Sequence, residues 1–453
     1  MSSKNEQFSS KLGLIVATIG SAVGLGNLWR FPSMTYENGG AAFLIIYIGA
    51  VLVLGIPLAL AEFALGRGGK GGAITAFQNV RPKTKWYLNG VLAVFISYAI
   101  LAYYAVISGW MLDYLFLSTT GTLFDVPQGM SASAWFGQVS QNTIESPWPS
   151  LIGTWLILLM TLAILVKGVK SIEKVTKVLM PLFALLLIAF CIITNMLPNA
   201  SEGVKYFLVP DFSKVTPSTF IAALGQAFYS LSVGMGIMIT YASYYPKDTK
   251  LISTSLYVAF GDFFIAVLMG LIVFPAVYAF GLQGDGLSGS KLVFFTLPEV
   301  FNKMPHSALW STVFFLLVAI AVLTTTISLA EVSVNALIQK LGMSRYKSLA
   351  LVFGSLFVLS SMYALSNNVL AGVTVFGMNL LDFTDMLTSN YLLLLETLFS
   401  AILVGWILDK KFLEHELNNY GSYRSRMFPI ILFLIRYVAP VALVLIFISS
   451  FIH

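Results

Sequence analysis

Charged side chains are scarce here. They make up 10% of the 453 residues, where a soluble globular chain carries about 25%. With a hydrophobic fraction of 58%, that deficit excludes an ordinary water-soluble fold. Cysteine is almost missing: Cys191, the single one, lies inside an apolar run, so neither an internal disulfide nor a cysteine-built metal site is available. Histidine occurs three times, at His306, His415 and His453, each in a loop or at a chain end, which leaves no cluster for a transition metal. No Walker motif occurs, so ATP-driven pumping by this chain is not expected. No nucleophile–base set stands out, and the chain is not expected to be an enzyme. The net charge of +6 would suggest nucleic acid in a soluble protein. Here the lysines and arginines read as topology signals, and no nucleic-acid partner is expected.

What the sequence has in abundance is apolar runs of about 20 residues, the length that crosses a bilayer as a helix. Backbone groups in lipid must be bonded within the segment, so these runs are helices. They fall at 12–35, 39–66, 87–118, 149–166, 172–197, 218–243, 251–281, 308–340, 348–366, 378–408 and 427–452. The expected fold is thus all-α and polytopic, one transmembrane domain over 1–453 with about 11 membrane helices. Residues 1–10 are polar and no small-residue cleavage site follows the first run, so the first helix is expected to stay in the protein. With the N-terminus cytoplasmic, 20 of the 26 basic residues fall on cytoplasmic segments. Four, Lys205, Lys214, Lys291 and Lys303, fall outside, and Arg30 and Arg436 lie within helices. That asymmetry places the chain in the cell (inner) membrane with an external C-terminus.

Two helices carry matched interruptions. The first has Val23-Gly24-Leu25-Gly26 and the sixth has Val233-Gly234-Met235-Gly236, each beside small polar residues: Ser21 and Asn27, then Ser230 and Ser232. Glycines can serve close helix packing. They can also let a helix unwind, which a membrane tolerates only along a cavity. A matched pair five helices apart points to a binding site between two repeats of inverted topology. Ionisable residues within spans are functional candidates by default: Arg30, Glu62, Asp262, Glu331, Asp382, Asp385 and Glu396. Thr324-Thr325-Thr326 adds hydroxyls in mid-span of the eighth helix. Threonines often bond back to their own helix, but three in a row face more than one side. Carbonyls, hydroxyls and amides together suit a hard cation such as sodium.

These residues stand in a familiar order. The run Gly20-Ser21-Ala22-Val23-Gly24-Leu25-Gly26-Asn27-Leu28-Trp29-Arg30-Phe31-Pro32, followed by Glu37-Asn38-Gly39-Gly40-Ala41-Ala42-Phe43, resembles the neurotransmitter:sodium symporter family, in its bacterial amino-acid transporter branch. Further matches are Tyr103-Tyr104, Ser230-Leu231-Ser232, Ile239-Thr240-Tyr241-Ala242-Ser243-Tyr244 and Leu323-Thr324-Thr325. The resemblance implies a five-plus-five inverted repeat with broken helices 1 and 6, residues 12–197 and 218–408, and an additional helix at 427–452. It implies sodium-coupled amino-acid import, with sodium (two ions) as coupling ion and no other cofactor. One ion would be held by carbonyls of Gly20, Val23 and Ala321 and hydroxyls of Thr324 and Thr325. The other would be held by the Ala22 carbonyl, Asn27, Ser230 and Asp262. The substrate carboxylate would meet Tyr104 and the amides near Leu25 and Gly26, and its amino group Ala22, Tyr229, Ser230 and Ser232. Ile100, Tyr229, Met235, Thr325 and Leu329 would line the side-chain pocket. Tyr104 and Tyr229 would form a lid, with Arg30 and Asp385 as an outer gate.

The sequence also departs from the family pattern. The basic residue usual at position 5 is Asn5, and its acidic partner is Gln339, so the inner gate lacks both charges and would rely on Asn5–Gln339 hydrogen bonding or on Lys4. Where chloride-dependent members bind the anion, this chain keeps Tyr47, Gln226 and Ser230 but has Asp262 and Ala266. A fixed carboxylate offsets the positive charge of two cations as a bound anion would. The expectation is chloride-independent import of a neutral hydrophobic or aromatic amino acid, with lipid as surroundings and proton counter-transport through Asp262. The alternatives are a substrate-gated channel and a non-transporting amino-acid sensor of the same fold.

Overall fold

A computed structural model describes residues 7–284 and 287–451. Asn5, Lys4 and His453, named above, lie outside the described residues. Eleven helical segments, whole or broken, follow one another where the hydropathy places spans. They are α1 (Lys11–Ala22 and Gly26–Glu37), α2 (Ala41–Gly69), α3 (Tyr87–Thr120), α4 (Pro147–Leu165), α5 (Val169–Asn195), α6 (Pro217–Ser230 and Ile237–Ser243), α7 (Leu251–Ala279), α8 (Ser307–Leu341), α9 (Arg345–Ala364), α10 (Leu380–Ile407) and α11 (Phe428–Ser449). Nine of these, among the described residues, are long and apolar enough to span on their own. The other two are broken. The halves of α1 meet at a bend of 57°, and those of α6 are separated by the non-helical stretch Leu231–Gly236.

The breaks have local causes. Val23 leaves helical geometry at φ −76°, ψ 106° and closes α1's first half through a bond from its N–H to the Ile19 carbonyl. In α6, Ser232, Gly234 and Gly236 all take positive φ, at +53°, +85° and +68°. Glycine adopts that conformation freely, whereas serine is strained in it. A side chain at Gly234 would also strike the Leu393 carbonyl and the Thr397 hydroxyl of α10, within 2.9 Å of both.

α8 is the centre of the bundle. Its most apolar stretch is 89% buried, against 33% for α5 and α11, which therefore form the periphery. Large apolar side chains such as Leu156, Leu185, Ile192 and Phe260 stand exposed on the outer helices, as a lipid-facing surface requires. The only strands among the described residues are the two-residue pairs Thr374–Val375 and Met378–Asn379. The helix ends expected from sequence shift by up to three residues, as at α2, α5 and α9.

Candidate ion and substrate site

The two breaks meet. The Ser232 hydroxyl donates to the Ser21 carbonyl at 3.0 Å, tying α6 to α1. Beside them Asp262 enters from α7. Its Oδ1 accepts from Asn27 Nδ2 at 2.8 Å and its Oδ2 from the Ser230 hydroxyl at 2.7 Å. Asn27 Nδ2 also reaches the Asp262 carbonyl at 3.0 Å. All three residues are buried, and among the described residues no basic side chain forms an ion pair with Asp262. A buried carboxylate held only by neutral donors is costly unless a cation completes it. Asn27 supplies the complementary feature: with its nitrogen committed to Asp262, its Oδ1 is buried and receives no hydrogen bond. An unbonded lone pair beside a carboxylate is hard-cation chemistry. Ala22, expected as a further ligand, is buried and is the last helical residue before the break.

A second set of oxygens lies where α8 passes α1. The Thr325 hydroxyl is 3.1 Å from the Val23 carbonyl and 3.2 Å from the Ala321 carbonyl. The Thr324 hydroxyl is 2.9 Å from the Ala321 carbonyl. A Cβ at Gly20 would lie 3.5 Å from Thr324, which brings the last of the five expected ligands alongside. Thr326 turns elsewhere, to Thr161 of α4 at 2.9 Å.

Around Gly24-Leu25-Gly26 the expected substrate groups converge. The Leu25 N–H is 3.3 Å from the Tyr104 hydroxyl. A Cβ at Gly24 would come within 2.9 Å of both the Tyr104 and the Thr325 hydroxyls, and one at Gly26 would lie 3.3 Å from the Tyr229 ring. Only glycine leaves room there. Ile100, Met235 and Leu329 are buried. Gly236, next to Met235, packs between Ala93 of α3 and Val332 of α8, the helices that carry Ile100 and Leu329. A chamber of about 200 Å³ adjoins this point, lined by Leu25, Gly26, Trp29, Arg30, Tyr103, Tyr104, Ile107, Tyr229, Asp385, Ser389 and Asn390. Tyr104 and Tyr229 are both part of its wall. Arg30 and Asp385 share the chamber without an ion pair: the Arg30 guanidinium sits 4.3 Å from the centre of the Tyr229 ring, and Asp385 accepts from Ser389 at 2.8 Å.

A family model described as the sodium:neurotransmitter symporter family matches residues 5–127 and 136–453. The chain belongs to the sodium:neurotransmitter symporter family. A sodium-dependent transporter of Haemophilus influenzae is 36% identical to this symporter over 99% of the chain and 100% of the relative. The sodium-dependent transporter YhdH of Bacillus subtilis is 34% identical, over 98% of each. A crystal structure of MhsT in complex with L-phenylalanine superposes with a TM-score of 0.87 at 37% identity, covering 98% of this chain and 99% of that one.

The symporter also has contacts that motif reading did not single out. At the end of the bundle opposite the chamber, Phe8 packs edge-on to Tyr241 and Tyr244, and its N–H donates to the Tyr244 carbonyl. Glu173 of α5 accepts from the Ser9 N–H at 2.7 Å and from the Ser9 and Ser10 hydroxyls at 2.8 Å, while Lys177 pairs with it at 2.6 Å. Gln339, expected at the inner gate, accepts from the Gly72 N–H at 2.9 Å. Glu331 is structural: it binds Arg345 at 2.6 Å and the Tyr244 hydroxyl at 2.6 Å. Ser389, one turn from Asp385, was findable by i,i+4 spacing. Glu173 was not, because its partners lie 163 and 164 residues away.

Proposed function

We propose that this symporter carries sodium and a neutral hydrophobic or aromatic amino acid into the cell together, by alternating access and without chloride. The observation that carries this reading is Asp262, buried between Asn27 and Ser230 with an unbonded Asn27 oxygen beside it. A sodium ion there would neutralise the carboxylate, and the substrate's own carboxylate would add a further ligand. The second ion would take the oxygens of Gly20, Val23, Ala321, Thr324 and Thr325, the two hydroxyls rotating their lone pairs toward it. Because α1 contributes to both ion sets, α6 and α7 to one and α8 to the other, filling them draws four helices together. That is how sodium would stabilise a closed state.

The substrate's carboxylate is placed against the Leu25 and Gly26 amides and the Tyr104 hydroxyl, where the second half of α1 begins. The amino group faces Ala22, Tyr229, Ser230 and Ser232. Ile100, Met235 and Leu329 offer only apolar contact, which favours a hydrophobic or aromatic side chain. MhsT, crystallised with L-phenylalanine, agrees with that chemistry. Tyr104 and Tyr229 act as the lid, Arg30 and Asp385 as the outer gate above it, and the Glu173 clamp on Ser9 and Ser10 as the inner one. The basic-residue asymmetry sets the orientation: N-terminus cytoplasmic, C-terminus external, in the inner membrane. Residues 12–197 and 218–408 form the repeats that move against each other.

The test is uptake of phenylalanine into sealed proteoliposomes under an imposed sodium gradient, in chloride and in gluconate. Native uptake is expected to be equal in both and absent without sodium. Asp262→Ser is expected to acquire a chloride requirement. Native uptake that collapses in gluconate removes the charge-compensating role of Asp262.

A further inference from the structure

Away from the ion site, two more carboxyl groups lie deep in the bundle. Glu62 of α2 and Glu396 of α10 are 1% and 0% exposed and close enough to act on each other electrostatically. Glu62 Oε1 accepts the N–H of Gly234 at 2.6 Å, at the α6 break. Gly234 in turn packs directly on α10 at Leu393 and Thr397, beside Glu396. Glu396 Oε1 accepts from Ser400 at 2.8 Å and from Asn89 Nδ2 of α3 at 3.1 Å. The cluster thus joins α2, α3, α6 and α10.

Its acceptors outnumber its donors. Glu62 Oε2, Glu396 Oε2 and Asn89 Oδ1 are all buried and receive no hydrogen bond among the described residues. Asn89 is 6% exposed, and because its nitrogen is bonded to Glu396 its oxygen lies at the same cluster. Among the described residues, no basic group of the neighbouring elements forms an ion pair with either carboxyl. On α2, Arg67 is held by Glu416 at 2.6 Å. On α11, Arg436 donates to the Gly405 carbonyl. Lys410, Lys411, Glu414, His415 and Glu416 sit on the helix Lys410–Leu417. Asp113 on α3 is bonded to Thr143, Asp262 on α7 to Asn27 and Ser230, and Asp382 and Asp385 lie at the start of α10. The second half of α6 carries no charge; its Tyr241 hydroxyl is bonded to Ser328 of α8, and Tyr391 of α10 donates to the Ser450 carbonyl.

Two like charges this close, without a cation, cannot both persist in a low-dielectric interior. We propose that Glu62 and Glu396 form a proton-binding site, separate from the ion and substrate sites, whose occupancy is tied to the break in α6. A proton taken from water onto one carboxylate oxygen removes the charge repulsion and supplies the donor the cluster lacks. The Gly234 N–H favours the charged form of Glu62. Rearrangement of the break withdraws that donor, so the pair gains a proton as the substrate site empties and releases it as the site fills. This assignment rests on the symporter reading only for the coupling, not for the proton.

The test uses the full chain in lipid nanodiscs, as the native protein, Glu62→Gln, Glu396→Gln and the double variant. Glutamine keeps the acceptor for Gly234 and the shape. Infrared spectroscopy at neutral pH should show a protonated-carboxyl stretch in the native protein that is lost in the double variant. Phenylalanine affinity in saturating sodium should tighten about tenfold as pH rises through the titration of one proton per site, and this slope should flatten in the double variant. Retained sodium stabilisation reports that the variants are folded. A missing native band, or a band and pH slope unchanged in the folded double variant, overturns the proposal. Loss of sodium stabilisation in the native protein would instead defeat the symporter reading, leaving the infrared result to judge the proton site alone.

Discussion

Replacing Thr324 and Thr325 together by valine isolates the chemistry of one ion site from its shape. Valine keeps the branched outline of threonine and removes only the hydroxyl. In the sodium-free protein the loss is modest. The Thr324–Ala321 contact is a bond within α8, and the Thr325 hydroxyl bridges Val23 and Ala321 at 3.1 and 3.2 Å. At about 1 kcal/mol for each ordinary hydrogen bond, the fold should lose roughly 1–3 kcal/mol and survive. With sodium the arithmetic changes. Two of the five proposed oxygen ligands vanish, and contacts to a charged group are worth about 1.5–3 kcal/mol each. The site should weaken by roughly 3–6 kcal/mol, or about two to four orders of magnitude in affinity. The assay is thermal stabilisation of purified protein by phenylalanine across a sodium titration. Thr326→Val is the matched control. It removes the same atom one residue along, but that hydroxyl faces Thr161 of α4, so the sodium midpoint should not move. A double variant that folds and keeps the native sodium midpoint refutes the assignment. So does a Thr326→Val protein that shifts as far as the double variant.

Neutralising Arg30 or Asp385 should slow uptake more than it weakens equilibrium binding, because the two face one chamber without touching. A double-mutant cycle on uptake should show coupling of about 0.5–3 kcal/mol, and strict additivity would show that they act apart. Glu173→Ala removes three hydrogen bonds and the Lys177 pair that hold residues 9 and 10. Spin labels across that end of the bundle should report a larger open fraction, with sodium-dependent binding weakened several-fold. An unchanged distance distribution would mean that Phe8 and its tyrosines hold the segment by themselves.

Much of the architecture was legible because hydropathy and helix length act over 20 residues at a time. Every apolar run became a helix, whole or broken, nine of them long and apolar enough to span alone among the described residues, and the glycines at 24, 26, 234 and 236 marked both breaks. What hydropathy cannot see is pairing across the sequence. The motif named Arg30 and Asp385 as an outer gate without saying what each touches; Arg30 lies over an aromatic ring, where a guanidinium finds favourable electrostatics. Three consecutive threonines had to face more than one side, and the 100° step of the helix sends Thr326 to Thr161 of α4. The contacts of Ser9 and Ser10 with Glu173 of α5 could not be read either, because no local spacing links residues more than 160 positions apart. Glu331 looked like a candidate ligand as much as Asp262 did. Only the positions of Arg345 and Tyr244 make it a strut.

Ser232 holds an energetic tension with an evolutionary reading. A glycine at φ +53° would relax the backbone by an amount of order 1 kcal/mol, so the backbone alone would favour it. Serine holds the strained conformation with its hydroxyl on the Ser21 carbonyl, and with the bond from Gln226 to the Gly26 carbonyl it ties the two broken helices. Cutting the serine bond would exchange about 1 kcal/mol for a relaxed backbone at little net change in stability, and would loosen one of the ties through which the two halves answer to each other. Thermostabilised lineages of this transporter should therefore gain their stability elsewhere and leave this residue alone.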